Sequence, residues 1–254
     1  MLAAERHAQI RTVVDDRTFA SVHDLCTLLD VSDITIRRDL DLLERAGHLR
    51  RTRGGAMSLR PTLDVPYTNR TELHVAAKHA IGASAAALVR AGETIFLNAG
   101  STIMAMARAL VGRHDLTVVT NAYTIVPILV NEPGIQLILT GGVARSQTGS
   151  LVGPLAERTV DELRVDRAFL GATGVHLDAG WTNSSLDEAA LQRALLRAAT
   201  DNYVLADHTK FGRISFARVG PLSALTAVIT DTGLNAETRD ALAVAGLRII
   251  LPPV

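Results

Sequence analysis

Four short segments of the chain carry small or polar residues that suit an anion. They follow apolar runs and cover residues 98–102, 120–121, 140–142 and 207–212. In the first segment a predicted helix begins at Gly100, Ser101 and Thr102, whose backbone amides and two hydroxyls can bind an anion at the helix N-terminus. A serine or threonine at such a position is more often only a helix cap. The first segment alone is therefore weak evidence for a binding site.

Lys210 strengthens the interpretation of these segments as an anion site. The chain contains 24 arginines and only two lysines, Lys78 and Lys210. A general preference for arginine codons explains most of this imbalance, but a lysine is a compact point charge that suits a phosphate where a planar guanidinium does not fit. We therefore predict that Lys210 binds the anion. Lys78 begins the first helix of the same region, and we interpret it as a structural residue or as part of a domain junction.

A predicted helix over residues 33–45 has two contrasting faces. On a helical wheel one face is a narrow apolar stripe of Ile36, Leu40 and Leu43. The opposite face contains Ile34, Arg37, Arg38 and Asp41. Guanidinium groups hydrogen-bond guanine edges or phosphates, and an isoleucine can contact a thymine methyl group. This face is therefore predicted to enter the major groove of DNA; the alternative is an ordinary solvated helix surface.

Residues on either side of this helix extend the predicted DNA-binding surface. Ser32 is expected to cap the helix or to bind a phosphate. Asp41, four residues after Arg37, is expected to hold that arginine extended. Residues 45–60 contain five arginines and no acid, and a hairpin there can form a wing over the DNA backbone or minor groove. The predicted wing contacts are Arg50, Arg51 and Arg53.

Two structural regions are needed to position these residues. The first is a compact unit of three helices and a hairpin over residues 1–58, followed by a linker over residues 59–73. From residue 74 to residue 254, strands alternate with helices, which indicates a mainly parallel α/β sheet. The predicted strands are 94–97, 116–120, 136–140, 167–170, 203–206, 227–230 and 248–251. The predicted helices are 102–110, 124–130, 155–163, 185–199 and 236–245. Ligands bind such sheets at the carboxyl ends of the strands, where the four segments would meet.

The composition excludes several other classes of protein. The 254 residues are 48% hydrophobic and carry 26 basic and 26 acidic side chains, so the chain can bury a core but has no overall positive charge. A single cysteine suits a reducing compartment. No apolar stretch is long enough to cross a bilayer, so we expect a cytoplasmic protein with no membrane partner. The histidines lack metal-ligand spacing, and we expect neither a metal nor another cofactor.

Residues 31–56 resemble a known signature. Their sequence is VSDITIRRDLDLLERAGHLRRTRGGA, which is similar to the winged helix-turn-helix of DeoR-type bacterial transcriptional regulators. The resemblance implies that the motif spans residues 21–40 and that Thr35, Arg37 and Arg38 face the DNA. The family commonly has a histidine before the Gly-Gly-Ala of the wing, where this chain has Arg53.

The resemblance continues into the second region, through residues 166–174 and 205–212. It implies a fold similar to ribose-5-phosphate isomerase, a phosphorylated sugar or related metabolite as effector, and a homodimer or homotetramer that acts as a repressor. The phosphate-binding residues implied in this way are Gly100, Ser101, Thr102, Thr120, Asn121, Gly141, Gly142 and Lys210. The isomerases carry an Asp-Gly-Ala-Asp run, but the comparable residues 171–174 contain no carboxylate. We therefore expect no catalytic residue.

Together these patterns predict a DNA-binding transcriptional regulator that is not an enzyme. We expect a repressor of a carbohydrate metabolism operon that binds double-stranded operator DNA and is controlled by a phosphorylated sugar bound in the C-terminal domain. One alternative is a sugar-phosphate isomerase-like enzyme with an appended DNA-binding domain. Another is a winged helix that binds protein, which would give no salt-dependent binding to DNA.

Overall fold

The computed structural model describes residues 2–17, 19–52, 54–58 and 67–253. Arg53 and residues 59–66 of the predicted linker lie outside the described residues. The chain divides into two compact units, one of Met1–Leu63 with Arg213–Phe216 and the other of Asp64–Gly212 with Ala217–Val254. The predicted domain boundaries after residues 58 and 73 stay predictions.

The first unit contains three helices and a small antiparallel sheet. Its helices are α1 (Ala3–Arg17), α2 (Val22–Leu29) and α3 (Asp33–Arg45). Its strands are β1 (Phe19–Ser21), β2 (Leu49–Thr52) and β3 (Gly55–Ser58), in the order β1-β3-β2. Helix α3 has the bounds predicted from the sequence. The strand β1 was not predicted, because three residues are too few to show an alternating pattern.

Local sequence explains the turn between α2 and α3. Ser21 caps α2 by accepting a hydrogen bond from the amide of Asp24 at 3.0 Å, and Ser32 caps α3 through the amide of Thr35 at 3.4 Å. Between the two helices Asp30 has a φ of +52°, in the left-handed region that an aspartate tolerates better than most residues. The turn sends the apolar stripes of both helices, with Leu25 and Leu40, into one core.

The second unit is built on a seven-stranded sheet in which every neighbouring pair is parallel. The order across the sheet is β15-β14-β12-β9-β4-β5-β6. Numbered in chain order, these strands are β4 (Thr94–Leu97), β5 (Leu116–Thr120), β6 (Ile135–Leu139), β9 (Val165–Gly171), β12 (Ala199–Leu205), β14 (Ala227–Ile229) and β15 (Ile249–Ile250). Two smaller antiparallel sheets contain β7 (Val143–Arg145) with β8 (Ser150–Val152), and β10 (Gly174–His176), β11 (Gly180–Asn183) and β13 (Ala217–Gly220). The predicted parallel α/β class is thus confirmed.

Helices cover this sheet and enclose two apolar core clusters. They are α4 (Tyr67–Glu72), α5 (Val75–Ala87), α6 (Ser101–Ala109), α7 (Val126–Leu129), α8 (Pro154–Asp161), α9 (Leu186–Ala198) and α10 (Ala236–Val244). One cluster includes buried residues of α5 and α6, and the other includes buried residues of α8 and α9. The helix predicted over residues 124–130 is divided into a 3-10 turn, Tyr123–Ile125, and the short α7. Pro127, near the start of α7, has no amide to donate to a preceding turn.

The connections define where a ligand can enter the sheet. From β4 the chain passes through α6 to β5, on one side, whereas from β9 it passes through α9 to β12, on the other. Since β4 and β9 are neighbours, the loops after them diverge and leave a crevice at their carboxyl ends, the usual ligand site of such sheets. The loop after β4 ends at Gly100, and α6 begins at Ser101.

Helices α5 and α6 approach each other closely at Gly82. A Cβ atom at this position would lie 2.6 Å from the backbone nitrogen of Met106 and 2.7 Å from the carbonyl carbon of Ala105. Because backbone atoms cannot move aside as a flexible side chain can, only glycine permits this packing.

Among the described residues, no helix has the length and apolar character needed to cross a membrane.

Candidate nucleic-acid interface and anion site

Helix α3 presents the two faces that the helical wheel predicted. Ile36, Leu40 and Leu43 are buried in the core of the first unit, whereas Ile34 is 64% exposed and Arg38 is also exposed. An isoleucine that projects into solvent gains nothing from the core. The exposed face therefore combines an apolar side chain, which can contact a thymine methyl group, with cationic groups, and a major-groove contact uses both.

Arg37 is held by Asp33 and not by Asp41 as we predicted. Its Nε donates to one carboxylate oxygen of Asp33, and its Nη2 donates to the other at 3.1 Å. This bond raises the pKa of Arg37 and lowers the pKa of Asp33. An acid that precedes its basic partner by four residues is in the favourable orientation for a helical pair. Asp41 is occupied elsewhere, because its carboxylate contacts Nε of Arg51 at 3.2 Å.

The wing is attached to α3 through Arg51. In addition to the pair with Asp41, the backbone amide of Arg51 donates to a carboxylate oxygen of Glu44 at 2.7 Å. The Arg51 side chain is only 22% exposed, whereas Arg50, one residue earlier on β2, is exposed. The structure therefore gives Arg51 a role in fixing the wing, which we had not predicted. Arg50 is the wing arginine that projects into solvent, and the predicted contact of Arg53 falls outside the described residues.

Ser32 and Thr35 form a small polar group at the start of α3. The Ser32 hydroxyl accepts from the amide of Thr35 and lies 3.0 Å from its hydroxyl. Ser32 thus has the capping role that we weighed against phosphate binding. Both hydroxyls are at the helix end that carries the partial positive charge, beside Ile34 and Arg37.

Asp39 is a buried acid on α3 that the sequence analysis missed. It is 4% exposed, and its carboxylate accepts from Nε of Arg6 at 2.5 Å and contacts Nε2 of His7 at 2.8 Å. Burial alone would raise the pKa of Asp39, but the hydrogen bonds from Arg6 and His7 outweigh it and lower the pKa. The signal was an acid three residues after Ile36, on the side of the helix that faces the core.

We predict that Asp39→Asn lowers the Tm of the first unit by about 5 to 10 °C at pH 7, because Arg6 loses its negatively charged partner and one of its two accepting oxygens. Since the folded pKa of Asp39 is depressed, its contribution is present above the unfolded pKa of about 3.9 and is lost as pH falls through the folded value. The difference between variant and wild type should therefore shrink below about pH 4. Melting curves by circular dichroism between pH 3 and pH 7 measure this effect.

Two observables separate this effect from general damage. Trp181, the only tryptophan of the chain, is fully buried on β11 in the second unit, so its fluorescence reports the unfolding of that unit. It should not change in Asp39→Asn. Asp30→Asn removes an exposed acid of the same unit, at a left-handed position that asparagine also tolerates, and should shift the Tm by about 1 °C or less. An unchanged melting curve for Asp39→Asn at pH 7 would show that the buried pair contributes nothing.

The crevice of the second unit has a floor of buried amides. Asn98, after β4, donates to the side-chain oxygen of Asn121 at 3.0 Å. Gln192 on α9 donates to the side chain of Asn98 at 2.9 Å and to the carbonyl of Gly171 at 2.8 Å, and it accepts from Asn183 at 3.1 Å. This network joins the carboxyl ends of β4, β5 and β9 without any charge. It fixes the positions of the loops that form the crevice.

Asn121 belongs to this floor, and Thr120 directly precedes it. Both are fully buried. The Thr120 hydroxyl donates to the carbonyl of Leu97 at 2.7 Å and accepts from the amide of Ala122 at 2.9 Å. The Asn121 side chain is used by Asn98 and by the carbonyl of Leu151 at 3.1 Å. Their polar atoms are already paired and hold the loops, and contact of these two residues with an anion stays a prediction.

The glycines predicted to bind an anion lie at two separate places. Gly100 and Ser101 begin α6 directly after β4, whereas Gly141 and Gly142 follow β6, two strands away in the sheet. Gly142 has a φ of +119°, and a Cβ atom there would lie 2.7 Å from the carbonyl oxygen of Val152. That glycine is therefore needed for local packing, and its contact with an anion remains a prediction.

A cavity of about 260 Å³ lies between α4, α5 and α6. Its lining residues are Thr71, Val75, Lys78, His79, Ser101, Met104, Ala105 and Arg108. Ser101 is the predicted anion ligand in this group, and Thr102 beside it is buried. Lys78 and Arg108 add two positive charges, and none of these lining residues is acidic. We had not assigned either basic residue to the site.

Lys78 is buried and is positioned by backbone carbonyls. Its Nζ donates to the carbonyls of Arg70 and of Leu73, the latter at 2.6 Å. Burial lowers the pKa of Lys78, the negative charge of Asp207 opposes this effect, and the positive charge of Lys210 adds to it. Both lysines of the chain therefore lie in one electrostatic environment. The contacts with two carbonyls agree with the predicted structural role of Lys78. The small number of lysines, which drew attention to Lys210, applied equally to Lys78.

Lys210 lies in a 3-10 turn after β12. The turn, His208–Lys210, is capped by Asp207, whose carboxylate accepts from the amide of Thr209 at 3.1 Å. The turn follows the carboxyl end of β12, the strand next to β9, and so lies at the edge of the sheet where the crevice opens.

Among the described residues, no group of three or more His, Cys, Asp or Glu side chains is arranged to hold a metal ion.

A winged helix-turn-helix and a parallel α/β unit with a basic cavity define a class of protein, the DNA-binding regulator with a sensor domain. Residues 6–62 match the DeoR-like helix-turn-helix domain, and residues 73–232 match the DeoR C-terminal sensor domain. The chain belongs to the DeoR family of transcriptional regulators. The resemblance expected from residues 31–56 is thus confirmed.

Individual relatives support this assignment over nearly the whole chain. An uncharacterized HTH-type transcriptional regulator, FruR of Bacillus subtilis (strain 168), is 35% identical and covers 91% of this chain and 92% of its own. A putative aga operon transcriptional repressor of Escherichia coli O157:H7 is 31% identical, covering 98% of this chain and 93% of its own. Among solved structures, a ribose 5-phosphate isomerase A from Methanocaldococcus jannaschii is 21% identical, with a TM-score of 0.40 over 53% of each chain.

Proposed function

We propose that this regulator is a repressor of a carbohydrate metabolism operon, and that a phosphorylated sugar in the sensor domain controls its binding to operator DNA. The observation that carries the effector class is the cavity that joins Ser101 at the start of α6 to Lys78 and Arg108. A phosphate can accept hydrogen bonds from the amides at the helix N-terminus and from the ammonium group of Lys78, and Arg108 adds positive charge to the same cavity. The relatives above, named as transcriptional regulators and a repressor, support regulation as the activity.

The size and charge of the cavity favour a small anionic ligand. A volume of about 260 Å³ lies just below the usual range for ligand pockets and suits a phosphorylated compound of a few carbons. Lys210 adds positive charge near Lys78, and Asp207 is the acid close to them. We propose Gly100, Ser101, Thr102, Lys78 and Lys210 as the phosphate-binding residues. Gly141 and Gly142 stay as predicted contacts for a part of the ligand farther from α6.

The proposed DNA contacts are residues of α3, its capping serine and the arginines of residues 50–53. They are Ser32, Ile34, Thr35, Arg37, Arg38, Arg50, Arg51 and Arg53. The helix supplies base contacts and the wing supplies contacts to the backbone. We propose a homodimer or homotetramer, because two copies of the chain that bind paired half-sites discriminate between DNA sequences better than a single recognition helix does. The effector changes DNA affinity only if it binds the DNA-competent and the DNA-incompetent arrangements unequally.

A titration of sugar phosphates against DNA binding tests this proposal. A duplex enriched from a random library by the wild-type protein replaces the unknown operator, and its affinity is measured with glycerol 3-phosphate, ribose 5-phosphate, fructose 1-phosphate, fructose 6-phosphate and glucosamine 6-phosphate. At least one compound should change the affinity, and its unphosphorylated sugar should not. Enrichment of no sequence would contradict DNA binding, and turnover of any of these compounds would favour the isomerase-like alternative.

We predict that Lys210→Met raises the effector concentration for half of the response by about 5-fold to 10-fold, because a cation is lost near the phosphate. Affinity for DNA without effector should stay unchanged. Arg164→Met, which removes an exposed cation after α8, is the control and should leave the response as in the wild type. An equal loss in both variants would mean that only the general charge of the protein matters.

A further inference from the structure

His208 is held in one orientation by Asp231, which follows β14. One carboxylate oxygen of Asp231 accepts from the backbone amide of His208 at 2.7 Å, and the other lies 2.8 Å from its Nδ1 and accepts from the amide of Gly233 at 3.1 Å. The hydrogen bonds from His208 and Gly233 overcome the effect of burial and lower the pKa of Asp231. An ionised carboxylate can only accept, so Nδ1 carries the proton and Nε2 is left as the acceptor of the neutral ring.

Two further residues restrict the imidazole ring. A Cβ atom at Gly233 would lie 2.7 Å from Nδ1 and 2.9 Å from Cγ of His208, so a side chain at this position would displace the ring. The ring of His74 meets that of His208 edge to face, with centroids 5.5 Å apart. The His208 side chain nevertheless remains 35% exposed. A ring fixed in this way and still open to solvent presents Nε2 at a defined place.

This place is next to the proposed phosphate site. His208 begins the turn that ends at Lys210, and it follows Asp207, whose charge acts on Lys78. On the other side of the ring, His74 directly precedes Val75, which lines the cavity together with Lys78. The imidazole therefore lies where the turn that contains Lys210 meets the start of α5, the helix that contains Lys78.

We propose that Nε2 of His208 accepts a hydrogen bond from a hydroxyl of the effector, and so makes the site prefer a phosphorylated polyol or sugar to inorganic phosphate. His208 is then a specificity-determining residue, and Asp231 is a positioning residue that acts through it. This inference rests on the proposed function, since it presumes that the two lysines bind the phosphate of the same ligand. A site that hydrogen-bonds a ligand hydroxyl through a group held in one orientation discriminates against ligands without that hydroxyl.

The substitution His208→Asn separates this role from a structural one. The asparagine amide can still donate to Asp231 in the place of Nδ1, but it has no atom in the place of Nε2. Binding of inorganic phosphate and of the five phosphorylated compounds named above is measured by calorimetry. In the variant, the best of these compounds should lose about 10-fold or more in affinity relative to wild type, whereas inorganic phosphate should bind as before. His114→Asn, an exposed histidine before β5, is the control.

Each other outcome decides between the two proposals. An unchanged preference in His208→Asn would overturn the role of His208 and leave the proposed function standing. Wild-type protein that binds the phosphorylated compounds no more tightly than inorganic phosphate would also overturn it. Protein that binds neither inorganic phosphate nor any of the compounds would refute the phosphate site itself, and both proposals with it.

The positioning role of Asp231 has a spectroscopic signature. In protein labelled with nitrogen-15 histidine, the His208 signals, identified by their absence in His208→Asn, should show the tautomer with the proton on Nδ1. Asp231→Asn should change this tautomer and weaken the preference for the phosphorylated compounds. A purely structural Asp231 would alter stability but leave the tautomer of His208 unchanged.

Discussion

Replacement of Arg37 and Arg38 by alanine is expected to lower the affinity for the enriched duplex by about 100-fold or more, because each guanidinium can form a bidentate contact with a guanine or a phosphate. Binding to unrelated DNA should fall less, and the salt dependence of binding should weaken by about one counterion for each lost phosphate contact. Fluorescence anisotropy at several salt concentrations measures both effects. Effector binding in the second unit should be unchanged.

The two arginines should also differ from each other. Arg37 is held by Asp33 and is half-exposed, whereas the structure gives Arg38 no ion pair among the described residues. The single change Arg37→Ala should therefore cost specificity, since it removes a group in a fixed orientation, and Asp33→Asn should reproduce a part of that loss. Arg11→Ala on α1, outside the helix-turn-helix, serves as the control for charge. Full specificity in the double variant would refute the assignment of α3 as the recognition helix.

The substitution Lys78→Met is expected to raise the effector concentration for half of the response by about 10-fold to 100-fold, because it removes a buried ammonium from the cavity. Lys78→Arg should not restore the response, since a planar guanidinium cannot direct its protons at the carbonyls of Arg70 and Leu73 from the same position. DNA affinity without effector should stay as in the wild type. The same titration of phosphorylated compounds against the enriched duplex measures this change.

Loss of the two carbonyl contacts can also destabilise the second unit, so its folding is checked separately. The buried Trp181 lies on β11, away from α5, and its emission should be as in the wild type if the fold is intact. Arg90→Met, an exposed change just after α5, is the matched control. A folded Lys78→Met protein with an unaltered response would exclude Lys78 from effector binding.

The sequence was most informative where local pattern determines structure. The bounds of α3, its apolar stripe and its capping serine followed from spacing along one helix, and the parallel sheet followed from the alternation of strands and helices. Pair partners were less predictable. Arg37 has an acid four residues away on either side, and only the structure shows that Asp41 is drawn to Arg51 on the wing.

The anion site was predicted in part for the same reason. Ser101 could be placed because it directly follows a strand. Thr120 and Asn121 lie at the end of a strand, but their neighbours in space bury them, and no local pattern shows this. Lys78 reaches the cavity because α5 packs against α6, a contact between residues distant in the chain. Asp231 meets His208 only because β14 and β12 are adjacent.

The contact at Gly82 fixes the distance between α5 and α6 near one end of the cavity. Main-chain atoms of α6 touch α5 there, and the cavity opens four residues away along α5, at Lys78. Rotation of a side chain cannot change the spacing of the two helices at this contact, because backbone atoms of α6 make it. We therefore expect relatives with effectors of a different size to differ at the lining residues Thr71, Val75 and Arg108, and to keep the glycine at position 82.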